Sequence, residues 1–394
     1  MRIEAIEVIN LHFPYPAGKG FRFAGGQATG RLTTLVRVRT DSELIGLGSA
    51  YSHPDLVRII IDRHLAPQLL GTDPTQTDQL WEKMNRLTQW YGRKGAAISA
   101  LGALDVAFWD LRAQAAGQPL WRMLGADAGN VAAYASALLW QDDVDTLRVE
   151  ARRHLEAGFR RMKMRLGRNP EYDEAAFLAV RREVGTSGDV MVDGSMHYTV
   201  DGAVHLARLL DAKNAFWFEE PFAPDALESF AELRRQVQVP IALGENEFGV
   251  TGFGAVTAAG AADILQPDVS RGGGITECRR VASLAALSGL KVATHTWSDA
   301  VAVVANAHMV AGLPNGLTVE IDRTGNPLID NLLNEPLTIQ EGRLLLSDAP
   351  GLGVTLNQDL VDRYRIPDDQ YVPEGNYGDM IFPAVPGGAG LRDG

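Results

Sequence analysis

The spacing of apolar and polar positions divides the chain into regions with different periods. Residues 1–50 alternate apolar and polar side chains, as in MRIEAIEVINLHF, RLTTLVRVRT and ELIGLGSA, and this period of two is typical of β-strands. Between the first two runs, PYPAGKGFRFAGGQATG is predicted to be one long, mobile, Gly-rich connection. From about residue 55 to 117 the period is helical, with Ile98 and Leu104 on one stripe and Gly117 as a candidate C-terminal cap. This pattern predicts an α+β unit: an antiparallel meander followed by helices.

From about residue 130 onward, short apolar runs alternate strictly with amphipathic helical segments. The eight predicted strands lie near residues 131–138, 160–166, 189–194, 215–219, 240–245, 263–268, 291–296 and 317–322. Seven of these runs end at a charged or imidazole side chain, namely Lys163, Asp193, Glu219, Glu245, Asp268, His295 and Glu320. Successive members are 30, 26, 26, 23, 27 and 25 residues apart, which is the length of one strand plus its return helix. This repeat predicts an α/β fold with a (β/α)8 TIM-like barrel, whose strand carboxyl ends open on one face and bring these side chains into a single site.

The length of the chain requires a second unit beside the barrel. A barrel takes roughly 250 residues, whereas the chain has 394. We predict an α+β capping domain over residues 1–125, the barrel over 126–325, and a C-terminal segment over 326–394 that returns to the capping domain. In that segment LTIQEGRLLLSDAPGLGV has a strand-like pattern, and the final twenty residues are rich in Gly and Pro.

Composition and charge exclude several classes of function. A formal net charge of -12 argues against a nucleic-acid surface, because such a surface needs a basic stripe. No run reaches the ~18–20 apolar residues that span a bilayer, and the N-terminus lacks the basic and apolar regions of a secretory signal. The single cysteine, Cys278, rules out a disulfide framework and is interpreted as a packing residue. A soluble, cytoplasmic protein with no nucleic-acid or membrane partner is therefore expected.

Three carboxylates on consecutive predicted strands, Asp193, Glu219 and Glu245, form a candidate metal site. A single acidic residue after a strand often caps the next helix, but three in succession would repel one another in a cleft unless a cation neutralised them. Ligation by oxygen alone selects Mg²⁺, with Mn²⁺ as the second choice. Because Glu220 adjoins Glu219, the pattern leaves open which of the two faces inward.

The remaining strand-end residues predict proton chemistry on an anion. Asp268 and His295 end adjacent strands, so the carboxylate can hold the imidazole in one tautomer and raise its basicity. Lys163 and Arg165 are two apart on one strand, which directs both into the barrel mouth, where they suit an anionic substrate. Glu320 is interpreted either as a hydrogen-bond donor to that anion or as an acceptor for Lys163.

One Gly-rich segment, SRGGGITE after the sixth strand, has the composition of a phosphate cradle. Glycine at the start of a helix also permits close helix packing, and barrel phosphate sites more often follow strands seven and eight. Packing is therefore the favoured interpretation of this segment.

In combination these motifs resemble the enolase superfamily, specifically its mandelate racemase subgroup. The resemblance covers essentially the whole chain and rests on the Lys-x-basic pair, EEP, GEN, the Asp268–His295 pair and Glu320. It implies that Glu219 rather than Glu220 is the metal ligand, that the metal is Mg²⁺, and that the protein is a homo-oligomer. It also implies that two loops fold over the barrel mouth and set substrate specificity, and their candidate residues are Lys19, Phe21, Arg22, Tyr51 and His53.

Two departures from that family pattern narrow the expected reaction. Many members carry a second lysine as a base where this chain has Arg165, and a guanidinium with a pKa above ~12 is a poor proton acceptor. Racemisation needs an acceptor on each face of the substrate, so the resemblance favours a one-base reaction of His295: Mg²⁺-dependent dehydration of a sugar acid, a small-molecule carboxylate, to a 2-keto-3-deoxy acid. After Asp193, Gly194-Ser195 replaces a frequent Ala-Asn, which makes Ser195 and His197 candidate contacts for substrate hydroxyls. The alternatives are a lactone cycloisomerase, a racemase or epimerase of a hydroxy acid, and a non-catalytic relative that only binds a ligand.

Overall fold

The structure, a computed structural model, describes residues 1–16, 18–372 and 380–381. The strands in these ranges are β1 (Ile3–Pro14), β2 (Phe21–Phe23), β3 (Gly26–Ala28), β4 (Gly30–Thr40), β5 (Ile45–Ala50), β6 (Asn130–Ser136), β7 (Arg161–Arg165), β8 (Asp189–Asp193), β9 (Phe218–Glu219), β10 (Ile241–Leu243), β11 (Ile264–Leu265), β12 (Lys291–Thr294), β13 (Gly316–Asp322), β14 (Ile339–Gln340), β15 (Arg343–Leu345) and β16 (Met380–Ile381). The helices are α1 (Pro54–Ile60), α2 (Ala66–Leu69), α3 (Thr77–Thr88), α4 (Ala96–Ala115), α5 (Leu120–Met123), α6 (Val144–Glu156), α7 (Pro170–Val184), α8 (Val200–Ala212), α9 (Leu227–Gln236), α10 (Gly249–Ala259), α11 (Gly274–Leu287), α12 (Ala300–Ala311), α13 (Pro327–Asp330) and α14 (Gln358–Tyr364), with a π-helical turn at Ile61–Leu65.

The N-terminal unit is an antiparallel sheet covered by helices, as the alternating pattern predicts. The sheet has the order β1-β4-β5, and α4 packs against it so closely that a Cβ on Gly48 would lie 1.9 Å from the carbonyl oxygen of Ala103. Helix α4 ends at Ala115, and Gly117, two residues later, has the positive φ of 64° that a C-terminal glycine cap adopts, as predicted. The Gly-rich connection differs from the prediction, because β2 and β3 pair within it as a hairpin and β3 also pairs with β16. Residues 373–379 and 382–394 of the predicted C-terminal return lie outside the described ranges.

Strands β6 to β13 form a closed parallel barrel. Each pairs in parallel with the next, and β13 pairs with β6 to close the ring. This confirms the predicted (β/α)8 fold, although several strands are shorter than predicted. For example, β11 ends at Leu265, two residues before Pro267, which has no N–H to continue the ladder.

Alternation inside the barrel determines which side chains reach the mouth. An apolar cluster inside the barrel includes Met191, Trp217 and Ala293, and the residues two positions further along the same strands are Asp193, Glu219 and His295. Because side chains two apart share a face, these three polar groups lie above the apolar layer. The barrel floor is thus largely apolar and its mouth polar.

The C-terminal segment contacts both units, and buried carboxylates join the cap to the barrel. Strand β15 pairs antiparallel with β6, while Arg365 bridges to Leu11 of β1. At the barrel, Asp299 caps α12 and accepts hydrogen bonds of 2.5 Å from the hydroxyls of Thr33 and Ser49 in the cap. None of the helices in the described part of the chain combines the length and the apolar character that crossing a membrane requires.

His308 on α12 predicts a pH dependence of folding stability. Its Nε2 donates to the carbonyl oxygen of Leu352 at 3.1 Å, and its buried Nδ1 has no hydrogen-bond partner among the described residues. Burial therefore lowers the pKa of His308 from 6.5 to about 4. The stabilising contribution of the neutral imidazole is complete above pH 6.5 and is lost as the pH falls towards 4, because the unfolded chain binds a proton that the folded chain excludes. Between pH 8 and pH 5 this loss amounts to about 2 kcal/mol.

The measurement is urea unfolding of the protein and of His308→Gln at both pH values. We expect the free energy of unfolding to fall by about 2 kcal/mol more in the unmodified protein than in the variant. An equal fall in the two proteins would contradict the assignment to His308.

Candidate active site

Asp193, Glu219 and Glu245 converge at the barrel mouth. Each offers a carboxylate oxygen, and these three atoms lie within 4.8 Å of one another. Glu245 reaches the cluster because Gly244, with φ 131°, breaks the strand alternation; a Cβ there would lie 2.6 Å from the ring of Phe253. Glycine is therefore required beside the Glu245 carboxylate.

Neighbouring donors fix the cluster and settle which glutamate faces inward. Nε1 of Trp217 and Nε2 of Gln266 both donate to Oε2 of Glu219, at 2.9 and 2.8 Å. The side chain of Glu220 turns away and accepts from the backbone N–H of Gly244 and from Nδ2 of Asn246. Burial, and after it the charge of Glu245, raise the pKa of Glu220 to about 7.

The donor set fits a hard divalent cation. Its ligand atoms are carboxylate oxygens, and Oε2 of Glu245 is buried without a hydrogen-bond partner among the described residues. Burial raises the pKa of Glu219 well above its usual range, and repulsion by Asp193 adds to this even though the Lys163 ammonium opposes it. A cation bound by the three oxygens would relieve that repulsion.

Lys163 and Arg165 form the cationic side of the cluster. Nζ of Lys163 contacts Glu219, lies 2.9 Å from Oε1 of Glu320 and lies 3.5 Å from Oδ2 of Asp193. Burial alone would lower the pKa of Lys163, but these carboxylates raise it above its usual value. Arg165 pairs with Asp193 at 2.5 Å, and burial is likewise outweighed by the carboxylates, which raise its pKa. In this arrangement both side chains are therefore held in their charged forms.

His295 is oriented by Asp268. Nδ1 of His295 lies 2.9 Å from Oδ2 of Asp268, whose Oδ1 accepts from Ser270 and Asn306. When the imidazole is neutral, the carboxylate fixes the Nδ1–H tautomer and leaves the lone pair on Nε2, which lies 3.7 Å from Oε2 of Glu245. Burial lowers the pKa of His295, but Glu245, Glu320 and Asp268 outweigh it and raise the pKa to about 9.

Glu320 is ionised and accepts hydrogen bonds. Its Oε2 accepts from the backbone N–H of Thr296 at 2.8 Å. Burial favours the neutral carboxyl, but Lys163 and His295 outweigh burial and lower the pKa of Glu320 to about 2. Of the two interpretations of this residue, the geometry favours the acceptor for Lys163.

Two family models together cover most of the chain. One, described as mandelate racemase / muconate lactonizing enzyme, N-terminal domain, matches residues 6–125. The other, described as enolase C-terminal domain-like, matches residues 146–360, more than half of the chain. The chain belongs to the enolase superfamily.

Relatives within the enolase superfamily are enzymes that act on acid sugars or their lactones. The chain is 32% identical to D-galactarolactone cycloisomerase of Agrobacterium fabrum, across 86% of this chain and 92% of that protein. It is 31% identical to arabinonate dehydratase of Saccharolobus solfataricus, across 83% of this chain and 89% of that protein. A third relative is the solved structure of a racemase from Streptomyces coelicolor A3(2) with bound magnesium. The two structures superpose with a TM-score of 0.85 at 31% identity, across 92% of this chain and 100% of that one. The chain is therefore an enzyme of the enolase superfamily.

The predicted specificity residues are only partly brought to the mouth. The ring of Tyr51 stacks on His295 with centroids 6.0 Å apart, and Phe21 meets the edge of Trp297 at 6.2 Å. His53 precedes α1 and is half-buried, whereas Lys19 is exposed. That His53 and Lys19 contact substrate stays a prediction.

Three other predicted contacts lie in positions that a sequence pattern does not reveal. Arg22 is exposed and pairs with Asp142 at 2.9 Å rather than with the cluster. Ser195 is buried and donates its backbone N–H to Oδ1 of Asp193, so it orients a proposed metal ligand. The left-handed φ values of 48° at Ser195 and 60° at Met196 turn the chain outward, and His197 lines a cavity of about 650 Å³ beside α7 and α8. That Arg22, Ser195 and His197 contact substrate stays a prediction.

Several residues around the active-site cluster of this enolase superfamily member were not predicted from the sequence. Trp297 lies between two guanidinium groups, with Cζ of Arg31 4.6 Å and Cζ of Arg165 5.0 Å from its ring. Arg31 is buried and pairs with Asp322 at 2.8 Å. Trp217 and Gln266 could have been found, because each lies on the inner face of its strand; Arg31 gave no such signal, since its contacts depend on how the cap docks.

Proposed function

We propose that this enzyme is a Mg²⁺-dependent hydro-lyase that dehydrates a sugar acid to a 2-keto-3-deoxy acid. The observation that carries the proposal is that His295 is arranged as a base by Asp268, while Lys163 and Arg165 stay cationic. One base is enough for elimination, whereas racemisation needs a proton acceptor on each face of the α-carbon.

The proposed metal ligands are Asp193, Glu219 and Glu245. Bound Mg²⁺ supplies positive charge that stabilises the substrate carboxylate as it gains negative charge. The charged groups of Lys163 and Arg165 lie beside the same carboxylates and serve the same purpose, and Glu320 fixes the position of Lys163.

His295 performs both proton transfers in this proposal. Nε2 accepts the proton on the carbon next to the carboxylate, and the electron pair of the broken C–H bond forms an enediolate. The C–O bond at the β-carbon then breaks, and the departing hydroxyl takes the proton from Nε2 and leaves as water. The resulting enol rearranges to the 2-keto acid, and His295 returns to its neutral form.

Cycloisomerisation of a lactone is the second candidate. It begins with the same proton abstraction, and the similarity to D-galactarolactone cycloisomerase favours it. The two reactions differ in the leaving group, which is a hydroxyl in dehydration and the ring oxygen of the lactone in cycloisomerisation.

Product analysis in D₂O distinguishes the candidates. A panel of mono- and diacid sugars and their lactones is incubated with enzyme and Mg²⁺. Dehydration converts an open-chain sugar acid to a keto acid with loss of water, whereas cycloisomerisation converts a lactone to an open-chain keto acid of unchanged mass. Both keto acids react with semicarbazide, so the substrate consumed and the mass of the product separate the two reactions, and epimerisation introduces deuterium into recovered substrate. No turnover of any compound in the panel would overturn the proposed substrate class.

Arg165→Lys tests whether Arg165 binds the anion or transfers a proton. Lysine keeps the positive charge but loses the planar contact with Trp297 and the paired geometry with Asp193. We expect kcat/KM to fall by about tenfold, a loss of about 1.4 kcal/mol in transition-state stabilisation. Arg168→Lys, at an exposed pair with Asp142, is the control. Complete loss of activity in Arg165→Lys alone would contradict a purely anion-binding role.

A further inference from the structure

We infer that Arg271 is a positioning residue that couples Tyr51 of the cap to the metal ligand Glu245. Arg271 lies in the Gly-rich segment after β11, outside the strand-end pattern that predicts the site. The inference rests on the proposed function, because it concerns a residue that holds one of the three proposed ligands.

The side chain of Arg271 is hydrogen-bonded to the segment that carries Glu245. Its Nε donates to the main-chain oxygen of Glu245 at 2.8 Å, and its Nη2 donates to Oδ1 of Asn246 at 2.9 Å. Nδ2 of Asn246 in turn lies 3.4 Å from Oε1 of Glu245 and 2.8 Å from Oε2 of Glu220. Two N–H groups of one guanidinium thus donate to consecutive residues, Glu245 and Asn246, and fix the orientation of this short segment. A planar guanidinium is suited to such paired contacts.

The same guanidinium lies between two aromatic rings. Cζ of Arg271 is 5.7 Å from the ring of Tyr51 and 5.5 Å from the ring of Phe248. Tyr51 belongs to the cap, and its ring also stacks on His295. Arg271 is thus in contact with the ring that covers the proposed base and with the segment that carries a proposed ligand.

The backbone of Arg271 is itself fixed by the cap. Its carbonyl oxygen accepts from Oγ of Ser99 on α4, and the carbonyl of Ser270 accepts from the N–H of Tyr51 at 2.8 Å. The glycines that follow allow α4 to approach: a Cβ on Gly274 would lie 2.4 Å from the carboxylate of Asp105. The Asp105 carboxylate accepts a hydrogen bond from the N–H of Thr276 at the start of α11. A protein carboxylate thus lies where a phosphate bound to this helix start would lie. The segment therefore serves as a joint between cap and site.

The test is the affinity for Mg²⁺, measured by calorimetry on protein stripped with EDTA. Arg271→Lys keeps the charge but cannot make both hydrogen bonds or the flat stacking contact. We expect its dissociation constant for Mg²⁺ to rise about 10-fold or more, the range typical of residues that orient metal ligands. Arg280→Lys is the matched control. Arg280 lies on α11 and, like Arg271, stacks on an aromatic ring of the cap, that of Trp81 at 4.5 Å, but it contacts Glu82 rather than the site.

A double-mutant cycle tests the coupling to the cap. Tyr51→Leu is expected to weaken Mg²⁺ binding about threefold or more in the unmodified protein and to have no further effect in Arg271→Lys. If Arg271→Lys does not fold, Tyr51→Leu alone carries the test, and an unchanged affinity overturns the inference. The inference is also overturned if Arg271→Lys and Arg280→Lys bind Mg²⁺ equally well. Absence of Mg²⁺ binding by the unmodified protein would overturn the proposed function itself and this inference with it.

Discussion

Replacement of His295 by Asn is expected to lower kcat by about 10³-fold or more, the upper part of the range for a general acid–base group. Asparagine can still bond to Asp268 but accepts no proton, so both proton transfers of the proposed reaction fail. The measurement is kcat on a substrate identified by the panel, with circular dichroism and thermal unfolding as checks of the fold.

His205→Asn is the control for this experiment. His205 is exposed on α8, outside the cluster, so its replacement is expected to leave kcat within a factor of two or so, as surface substitutions do. Wild-type turnover by His295→Asn would refute the assignment of His295 as the base. Loss of turnover accompanied by loss of fold would place the effect on stability, and His295→Gln would then repeat the test.

Replacement of Glu245 by Gln is expected to raise the dissociation constant for Mg²⁺ by at least about 100-fold, beyond the 10–100-fold typical of residues that only orient ligands. The amide lacks the negative charge that a hard cation requires. Oε2 of Glu245 has no hydrogen-bond partner among the described residues, so the folded protein without metal loses little by the change. Calorimetric titration with Mg²⁺ measures the effect independently of substrate.

Glu247→Gln is the matched control, two residues further along the same segment. Glu247 is buried and pairs at 2.8 Å with Lys94, whose side chain is 56% exposed, and it is not one of the three converging carboxylates. Its affinity for Mg²⁺ is expected to match that of the unmodified protein. Tight Mg²⁺ binding by Glu245→Gln would show that the metal site lies elsewhere.

The barrel was predictable because its evidence is local. Each strand is a short apolar run that ends in a polar side chain. From Lys163 to Glu320, each of these polar side chains follows the one before it by about the length of one strand and one helix. The cluster follows from this repeat, since parallel strands in a closed barrel must end on one face. The approach of the Glu245 carboxylate to the cluster depends on one further local feature, the positive φ of Gly244.

What the sequence did not predict depends on contacts between distant segments. Arg31 and Trp297 meet because the cap docks on the barrel, and no pattern along the chain records this docking. The direction of His197 depends on two consecutive left-handed residues that are not glycine, a backbone choice that side-chain preferences disfavour. The hairpin of β2 and β3 lay within a segment whose glycine content suggested a loop.

The hydroxyl contacts of Asp299 with Thr33 and Ser49 have a consequence for how new specificities arise. They fasten β4 and β5 of the cap to the barrel, whereas the hairpin that brings Phe21 over the mouth precedes both strands. Attachment and the predicted discrimination between substrates thus lie in separate stretches of the chain. We expect that grafting a different hairpin between Pro14 and Gly30 changes the substrate preference and leaves the anchoring strands in place.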